Sequence, residues 1–474
     1  MDGVRGGARR GQRTAGCRKH RRHGERDRPR QHALRGRTDT PPTQGRAPHR
    51  RKEAGMAAEE AHRNARSSVS HRALRWNERT FLFALGSPAF GMALAYTLVT
   101  TYGPVLIHEL SGPAVTGLII GGEGLFSLFV PVLAGGVSDQ LSRRVGGRLT
   151  ILLSGGVVAI AALVVMPLAA GTLTLLAVAL AVFFIGYFAY YTPYYALYPD
   201  LVPREFRGRS LGFQGSMRSA GLLLGISGGG FLLSFAQPLP FLVGAAAITL
   251  FTAGLWLALR SKPWASPSPQ AQHTSIAGGL GVLARDGRIR AWFFANACWE
   301  GSVAALRTFV VLYFTIGLGF SLNQSSTALA LVGGAAILAA PLSGTLADRY
   351  GHRRTMRFGL FAFAIGLLPA VLTTNTAFVA AIVPVAFAAV ILMTLPYSLL
   401  MGLLPQLSEH GTGAGVFGLS RGLGVLIGPL LAGLAVKFTS SLPVLAFEET
   451  KGYSSIFVVA GVLLAISIPL LRRT

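Results

Sequence analysis

From Thr80 to the end, the chain is a succession of apolar runs of about 20 residues broken by short polar stretches; before Thr80 there is no such run. Runs of that length span a hydrocarbon core of ~30 Å. Twelve can be read, near 80–107, 114–137, 149–170, 173–198, 210–234, 238–260, 290–317, 324–346, 356–375, 377–402, 412–437 and 454–471. Lipid offers backbone N–H and C=O groups no partners, so each run is predicted to be an α-helix. Their frequent Gly and Ala residues permit close helix–helix approach. The expected fold is an all-α membrane protein of twelve transmembrane helices, numbered here in chain order.

Composition supports this and rules out other classes. Of 474 residues, 51% are hydrophobic and only 13% charged, and the mean hydropathy is +0.49. So few charges cannot cover a soluble surface of that size. The formal net charge of +25 is unevenly spread: residues 1–79 carry +14 of it and contain 22 basic residues. Residues 1–75 lack Phe, Tyr, Trp and Ile altogether, so this basic tail is expected to be disordered. It has no apolar h-region and does not read as a signal peptide. Three readings compete: a tail for nucleic acid or anionic lipid, an inert solvated tail, or a start placed upstream of the functional one. The third is preferred, because Met56 opens a more ordinary leader. No zinc-ligand spacing or interleaved aromatics support a nucleic-acid partner. The two cysteines, Cys17 and Cys298, exclude a disulfide-stapled class.

The polar stretches set an orientation. One side holds Arg143, Arg144, Arg148, Arg204, Arg207, Arg209, Arg260, Lys262, Arg285, Arg288, Arg290, Arg349, Arg353, Arg354, Arg472 and Arg473; the other offers Lys437 and Lys451. By the positive-inside rule both termini are expected in the cytoplasm, with the protein multi-pass in the cell membrane, plasma or inner.

The chain also repeats itself. A first half at 80–260 and a second at 290–474 flank a linker at 261–289, expected to be cytoplasmic, that contains Ser266-Pro267-Ser268-Pro269. Gly135-Gly136-Val137-Ser138-Asp139 after helix 2 returns as Gly344-Thr345-Leu346-Ala347-Asp348 after helix 8. At an offset of 203, Pro193-Tyr194 matches Pro396-Tyr397, and Gly212, Gly215, Arg218, Gly221 and Gly225 fall on Gly415, Gly418, Arg421, Gly424 and Gly428. A parallel repeat of six-helix halves places a substrate site between them, near the bilayer midplane.

With these motifs in hand, residues 80–474 resemble the major facilitator superfamily. Gly344 through Arg354, including Asp348, Arg349 and Arg353, looks like its signature loop between helices 8 and 9. The counterpart, with Gly135, Asp139, Arg143 and Arg148, is stretched by a few residues. That stretched form, and Thr192-Pro193-Tyr194-Tyr195-Ala196-Leu197-Tyr198-Pro199-Asp200-Leu201, resemble the glycoside–pentoside–hexuronide cation symporters and sucrose-type carriers. Gly212, Gly221, Gly225, Gly229 and Gly230 resemble instead the helix 5 motif of drug antiporters, although Ile226 stands where those carry proline. The resemblance implies alternating access, a cavity lined by helix 7, and lipid-facing helices 3, 6, 9 and 12. It also implies that Asp139 and Asp348, with their arginines, latch the inner gate by charge-assisted bonds. The plainer reading, solvated positive-inside arginines, accounts for Arg144 and Arg354 but not for the recurrent aspartate.

Few charges lie at membrane depth: Glu123 in helix 2, Arg218 in helix 5, Glu300 and Arg307 in helix 7, and Arg421 in helix 11. Helical rise puts Arg218, Glu300 and Arg421 ~12–17 Å from the inner face, and Glu123 and Arg307 ~25 Å from it. Each costs at least ~2.5 kcal/mol to insert, so each should face a cavity or a partner. The plainer reading is that Glu123–Arg307 or Glu300–Arg218 pairs only tie helices together. On helix 7, Asn296, Trp299, Glu300, Val303 and Arg307 have the spacing of one face. Glu300, then Glu123, is the candidate site for a proton or other coupling cation. Six of twelve tyrosines fall between 187 and 198. Tyr187, Tyr190, Tyr191 and Tyr194 form an i, i+3, i+4, i+7 stripe able to stack on a sugar or another flat ligand. Tyr195 and Tyr198 read rather as interfacial belt.

No Ser/His/Asp grouping, metal-ligand cluster or nucleotide loop supports an enzyme, and no loop is long enough for a sensor domain. The expectation is therefore a secondary active transporter of a small solute, sugar or glycoside with proton symport. The alternative is drug or metabolite efflux by proton antiport. No cofactor beyond the coupling cation is expected, and the partners are solute and lipid, with the chain acting as a monomer.

Overall fold

The computed structural model describes residues 76–142, 147–259, 281, 283–375, 382–404 and 410–473. The basic tail through Arg75, Arg143 and the linker from Arg260 to Leu280 lie outside the described residues, as does the side chain of Asp139. The described residues from Trp76 onward belong to one compact unit, built of helices with no strand among them.

Among the described residues, twelve helices are long and apolar enough to cross a membrane: α1 (Trp76–Ser111), α2 (Pro113–Ser138), α3 (Arg148–Ala169), α4 (Leu173–Tyr198), α5 (Phe206–Phe235), α6 (Leu239–Leu259), α7 (Gly287–Gly317), α8 (Leu322–Ala339), α9 (His352–Leu372), α10 (Val383–Leu403), α11 (Gly415–Thr439) and α12 (Ser455–Arg473). They fall on the twelve runs read from the sequence. An even number of crossings brings Trp76 and Arg473 to one side, called here the terminus end; the other is the far end.

Local sequence explains how the helices start and bend. Asp286 caps α7 by accepting from the Arg288 N–H at 2.7 Å, and that bond holds its carboxyl below the usual carboxylate range. Ser321 and Gln324 form a reciprocal capping box at the start of α8. At Ser87-Pro88, α1 bends, because proline has no N–H to continue the ladder. Past the bend, Phe90 N–H bonds Ser87 O at 3.0 Å, so the Gly86 carbonyl loses its helical donor. The Tyr194 hydroxyl of α4 fills the gap, donating to Leu85 O at 2.8 Å and Gly86 O at 3.3 Å.

α1 and α7 are central: 78% and 72% of their apolar cores are buried, against at most 50% in any other helix. Large apolar side chains point outward from α3 (Val157, Leu168), α6 (Leu250, Leu257), α9 (Phe358, Ile365) and α12 (Val462, Ile466). Such a surface suits lipid and no aqueous solvent.

The glycine motif found twice in the sequence does the same packing job twice. A Cβ on Gly221 of α5 would stand 2.3 Å from Phe90 O of α1, and one on Gly424 of α11 would stand 2.4 Å from Ala297 O of α7. One turn on, Gly225 abuts Leu94 O and Gly428 abuts Gly301 O. Only glycine permits this backbone approach. Helix α5 therefore lies on α1 as α11 lies on α7.

The far end is sealed between the halves. Gly117 of α2 backs onto Pro429 O of α11, and Gly433 of α11 onto Pro113 O. Ser234 of α5 donates to Asn323 of α8 at 2.7 Å, and the Tyr453 hydroxyl lies 3.1 Å from His108 Nε2. Toward the terminus end the packing loosens: at Gly136, Gly212, Gly215, Gly344 and Gly418 no atom of a neighbouring helix lies within 4 Å of where a Cβ would stand.

Candidate functional site

All five charges at membrane depth gather where α1, α2, α5, α7 and α11 converge. Arg307 Nη2 lies 2.9 Å from Glu123 Oε2, and Arg307 Nη1 donates to the Tyr96 hydroxyl at 2.7 Å. Tyr96 in turn donates to Glu123 Oε1, which closes a triangle across α1, α2 and α7. The guanidinium also stands 5.2 Å from the Tyr96 ring centroid, within cation–π range. Glu123 is buried at 2% exposure, so its charge depends on these donors.

Beside the triangle, Arg421 Nε faces Glu300 Oε2 at 3.6 Å. The Arg421 side chain is 39% exposed although it sits deep in the bundle, so it borders open space between the helices. Gly424, three positions on from Arg421, packs against α7 beside Glu300 Cβ and thereby sets the pair. On the other side, Gly124 of α2 backs onto Gly422 O, which brings the two ion pairs next to each other.

Arg218, the repeat equivalent of Arg421, has no carboxylate. It makes no ion pair or hydrogen bond among the described residues. The groups acting on it electrostatically are Tyr191, Tyr187 and Tyr195 of α4, and Arg421 across the interface. These rings form a ladder: Tyr96 stacks on Tyr187 at 4.8 Å, Tyr187 on Tyr191 at 5.8 Å, and Tyr191 meets Tyr195 at 4.4 Å. Tyr191 donates to the Tyr195 hydroxyl at 2.9 Å, and Gln214 Nε2 donates to the same oxygen at 2.6 Å. Together the five charges sum to +1.

Several expectations need correction. The tyrosine stripe divides, because side chains four apart align better than those three apart. Tyr187, Tyr191 and Tyr195 share the Arg218 side. Tyr190 and Tyr194 are buried with Tyr198 against α1 and α6, Tyr190 reaching Thr252 at 3.0 Å and Tyr198 donating to Leu85 O at 3.1 Å. Neither Tyr195 nor Tyr198 is an interfacial belt residue. On α7, Trp299 turns away from the Glu300 face and donates to Ser467 of α12 at 2.8 Å, whereas Asn296, one turn before Glu300, stays on its α11 side and donates to Ser420 at 2.7 Å. Both are fully buried. Glu300 pairs with Arg421, not with Arg218.

The signature loops lie at the terminus end. Asp348 and Arg349 are exposed, and Asp348 has no partner among the described residues; Arg349 lies over the Tyr350 ring. Arg353 is exposed as well, and a Cβ on Gly135 would stand 3.3 Å from the Thr192 methyl of α4. Arg148 Nε, from the first loop, meets Asp200 Oδ2 of the helix 4 motif at 2.6 Å.

Sequence reasoning missed Tyr96, Gln214 and the Asp200 partnership. Gln214 was within reach, since it precedes Arg218 by four residues and so shares its face. Tyr96 carries no such signal, because its role depends on a tertiary contact. A separate cleft of 460 Å³ lies between the starts of α1 and α5, where Arg79 and Arg209 join Trp76, Phe83 and Phe213. It is remote from the charge cluster.

The family described as the Major Facilitator Superfamily matches residues 32–226, 80–338 and 301–474. No curated protein matches the chain. Among solved structures it is similar to a bacterial homologue of the human lysosomal transporter Spinster, inward-facing and unoccupied, with a TM-score of 0.67, 16% identity, and 84% of this chain and 97% of that one covered. The occupied form of the same protein aligns with a TM-score of 0.66, also at 16% identity, over 84% and 97%. The nucleoside transporter NupG aligns with a TM-score of 0.65 at 13% identity, over 83% of this chain and 98% of that one. At such identities the likeness shows the fold alone.

Proposed function

The chain belongs to the major facilitator superfamily, and we propose that this multi-pass membrane transporter moves a small ring-bearing, hydroxylated solute of the sugar or glycoside kind in symport with a proton. The observation that carries the reading is the charge cluster itself. Two carboxylates and three arginines, costly at this depth, meet between the halves beside a ladder of tyrosines. Ring faces stack on a flat solute while the Tyr191, Tyr195 and Gln214 polar groups bond its hydroxyls.

Glu300 is the coupling site in this reading. Its pair with Arg421 is long at 3.6 Å and borders the cavity, so a proton can displace the arginine and release it for the next step. Glu123, by contrast, is held by two polar contacts, from Arg307 and Tyr96, and serves to join α2 to α7. Movement between the sealed far end and the looser terminus end supplies alternating access. Efflux by proton antiport has less support, because the antiporter-like glycines Gly221 and Gly225 are engaged in packing α5 on α1.

The test is counterflow of labelled sugars and glycosides in proteoliposomes, with and without a proton gradient, run beside dye efflux. Gradient-driven uptake supports symport. Dye extrusion with no solute counterflow overturns it.

A further inference from the structure

Resting on that reading of the cavity, we infer that the transported solute is an anion, and that its carboxylate or equivalent oxyanion binds Arg218 as Glu300 binds Arg421. The argument comes from a break in the internal symmetry. The glycine contacts fix the register of α1 against α7: Phe90 corresponds to Ala297 and Leu94 to Gly301, both pairs 207 positions apart. Arg218 and Arg421 stand three residues before the matched glycines Gly221 and Gly424. In that register the counterpart of Glu300 is Ala93. The second half thus carries an arginine with its carboxylate, and the first half carries the arginine alone.

Arginine cannot lose its proton to relieve this, so a guanidinium at membrane depth needs an anion or acceptors. Across the interface stands Arg421, of the same sign, and both carboxylates of the cluster are engaged by other arginines. Gln214 already directs its amide N–H to Tyr195. What remains around Arg218 is a wall of tyrosine rings and hydroxyls, able to seat the flat body of a solute while its charged group takes the guanidinium fork.

The experiment uses the full-length protein purified in detergent and its thermal unfolding with matched probes: glucuronate against glucose, benzoate against benzyl alcohol, and phenyl phosphate to separate carboxylate from phosphate recognition. At least one anion should raise the melting temperature while its neutral twin does not. Arg218→Gln should weaken that effect about tenfold or more in concentration. Arg218→Lys, which keeps the charge without the fork, should weaken it in part. Ala93→Glu supplies the missing carboxylate from the protein and should do the same as Arg218→Gln; if it fails to fold, the Arg218 variants decide alone. The inference is overturned if no anion stabilises, if neutral twins stabilise equally, or if Arg218→Gln binds like the parent protein. An anion that binds but is not exchanged in proteoliposomes supports the site and counts against its role in transport. Exchange of a neutral sugar with no anion binding does the reverse.

Discussion

Arg307 Nη2 of α7 meets Glu123 Oε2 of α2 at 2.9 Å, so one half of the molecule is bonded to the other by a buried ion pair. Removing one partner strands the other's charge. Glu123→Ala or Arg307→Ala is expected to destabilise the protein by about 3 kcal/mol, the low end for buried pairs because Arg307 is 21% exposed. The double variant Glu123→Gln with Arg307→Gln should recover much of that loss. Thermal unfolding of the singles and the double checks this; a double variant no better than the worse single would mean the pair is not coupled.

The second ion pair calls for a different variant. Glu300→Gln keeps the shape but cannot take up or release a proton. Uphill accumulation in proteoliposomes should vanish while downhill exchange continues. Gradient-driven uptake surviving in Glu300→Gln, in Glu123→Gln and in the double variant would exclude both carboxylates from coupling.

The sequence made the membrane class, the twelve spans and the repeat legible because each rests on composition or spacing, which lipid and symmetry impose directly. Partnerships were less legible. Glu123–Arg307 was visible as an option because only five charges lay at depth, but Glu300 has two candidate arginines at similar height. What selects Arg421 is the packing of Gly424 on α7, a contact between residues far apart in the chain. The tyrosine stripe misled for a related reason: an i, i+3, i+4, i+7 pattern is compatible with one face, yet the α1 bend at Pro88 draws Tyr194 and Tyr198 to its carbonyls. Backbone groups freed by a bend leave no trace on the partner helix's sequence.

In the proposed reading the loop aspartates serve switching. Asp348 is exposed and unpartnered among the described residues while the terminus end is loosely packed, as a latch would be in its open state. Asp348→Asn and Asp139→Asn should slow exchange while leaving solute affinity near that of the parent. Wild-type exchange rates with weakened affinity would refute the latch.

At the far end, the seal depends on bare backbone. A Cβ on Gly117 would stand 2.2 Å from Pro429 O, so Gly117→Leu cannot close against α11 as the native residue does. The variant should favour the state open at the far end. A cysteine placed at Tyr102, buried in this seal beside Ser326, should then react with an impermeant thiol reagent faster in the Gly117→Leu background. Equal labelling rates in the two backgrounds would show that the glycine does not control closure.

The divided tyrosine stripe gives the most discriminating comparison, since two residues three apart on one helix are assigned opposite duties. Tyr194 is buried and its hydroxyl serves the carbonyls of Leu85 and Gly86 at the α1 bend. Tyr194→Phe leaves the Gly86 carbonyl without a donor, although Tyr198 still reaches Leu85 O. It should therefore cost about 1 kcal/mol in stability and leave solute affinity unchanged. Tyr191 is only half-buried, faces Arg218, and spends its hydroxyl on Tyr195. Tyr191→Phe should barely alter the melting temperature, yet weaken binding of the stabilising probe about tenfold, because a hydrogen bond and the polarity of the wall facing the arginine are lost together. Melting curves with and without probe report both quantities on one sample. If Tyr194→Phe weakens binding as much as Tyr191→Phe does, the rings act as one surface and the division is wrong. If neither weakens it, the solute does not lie against α4.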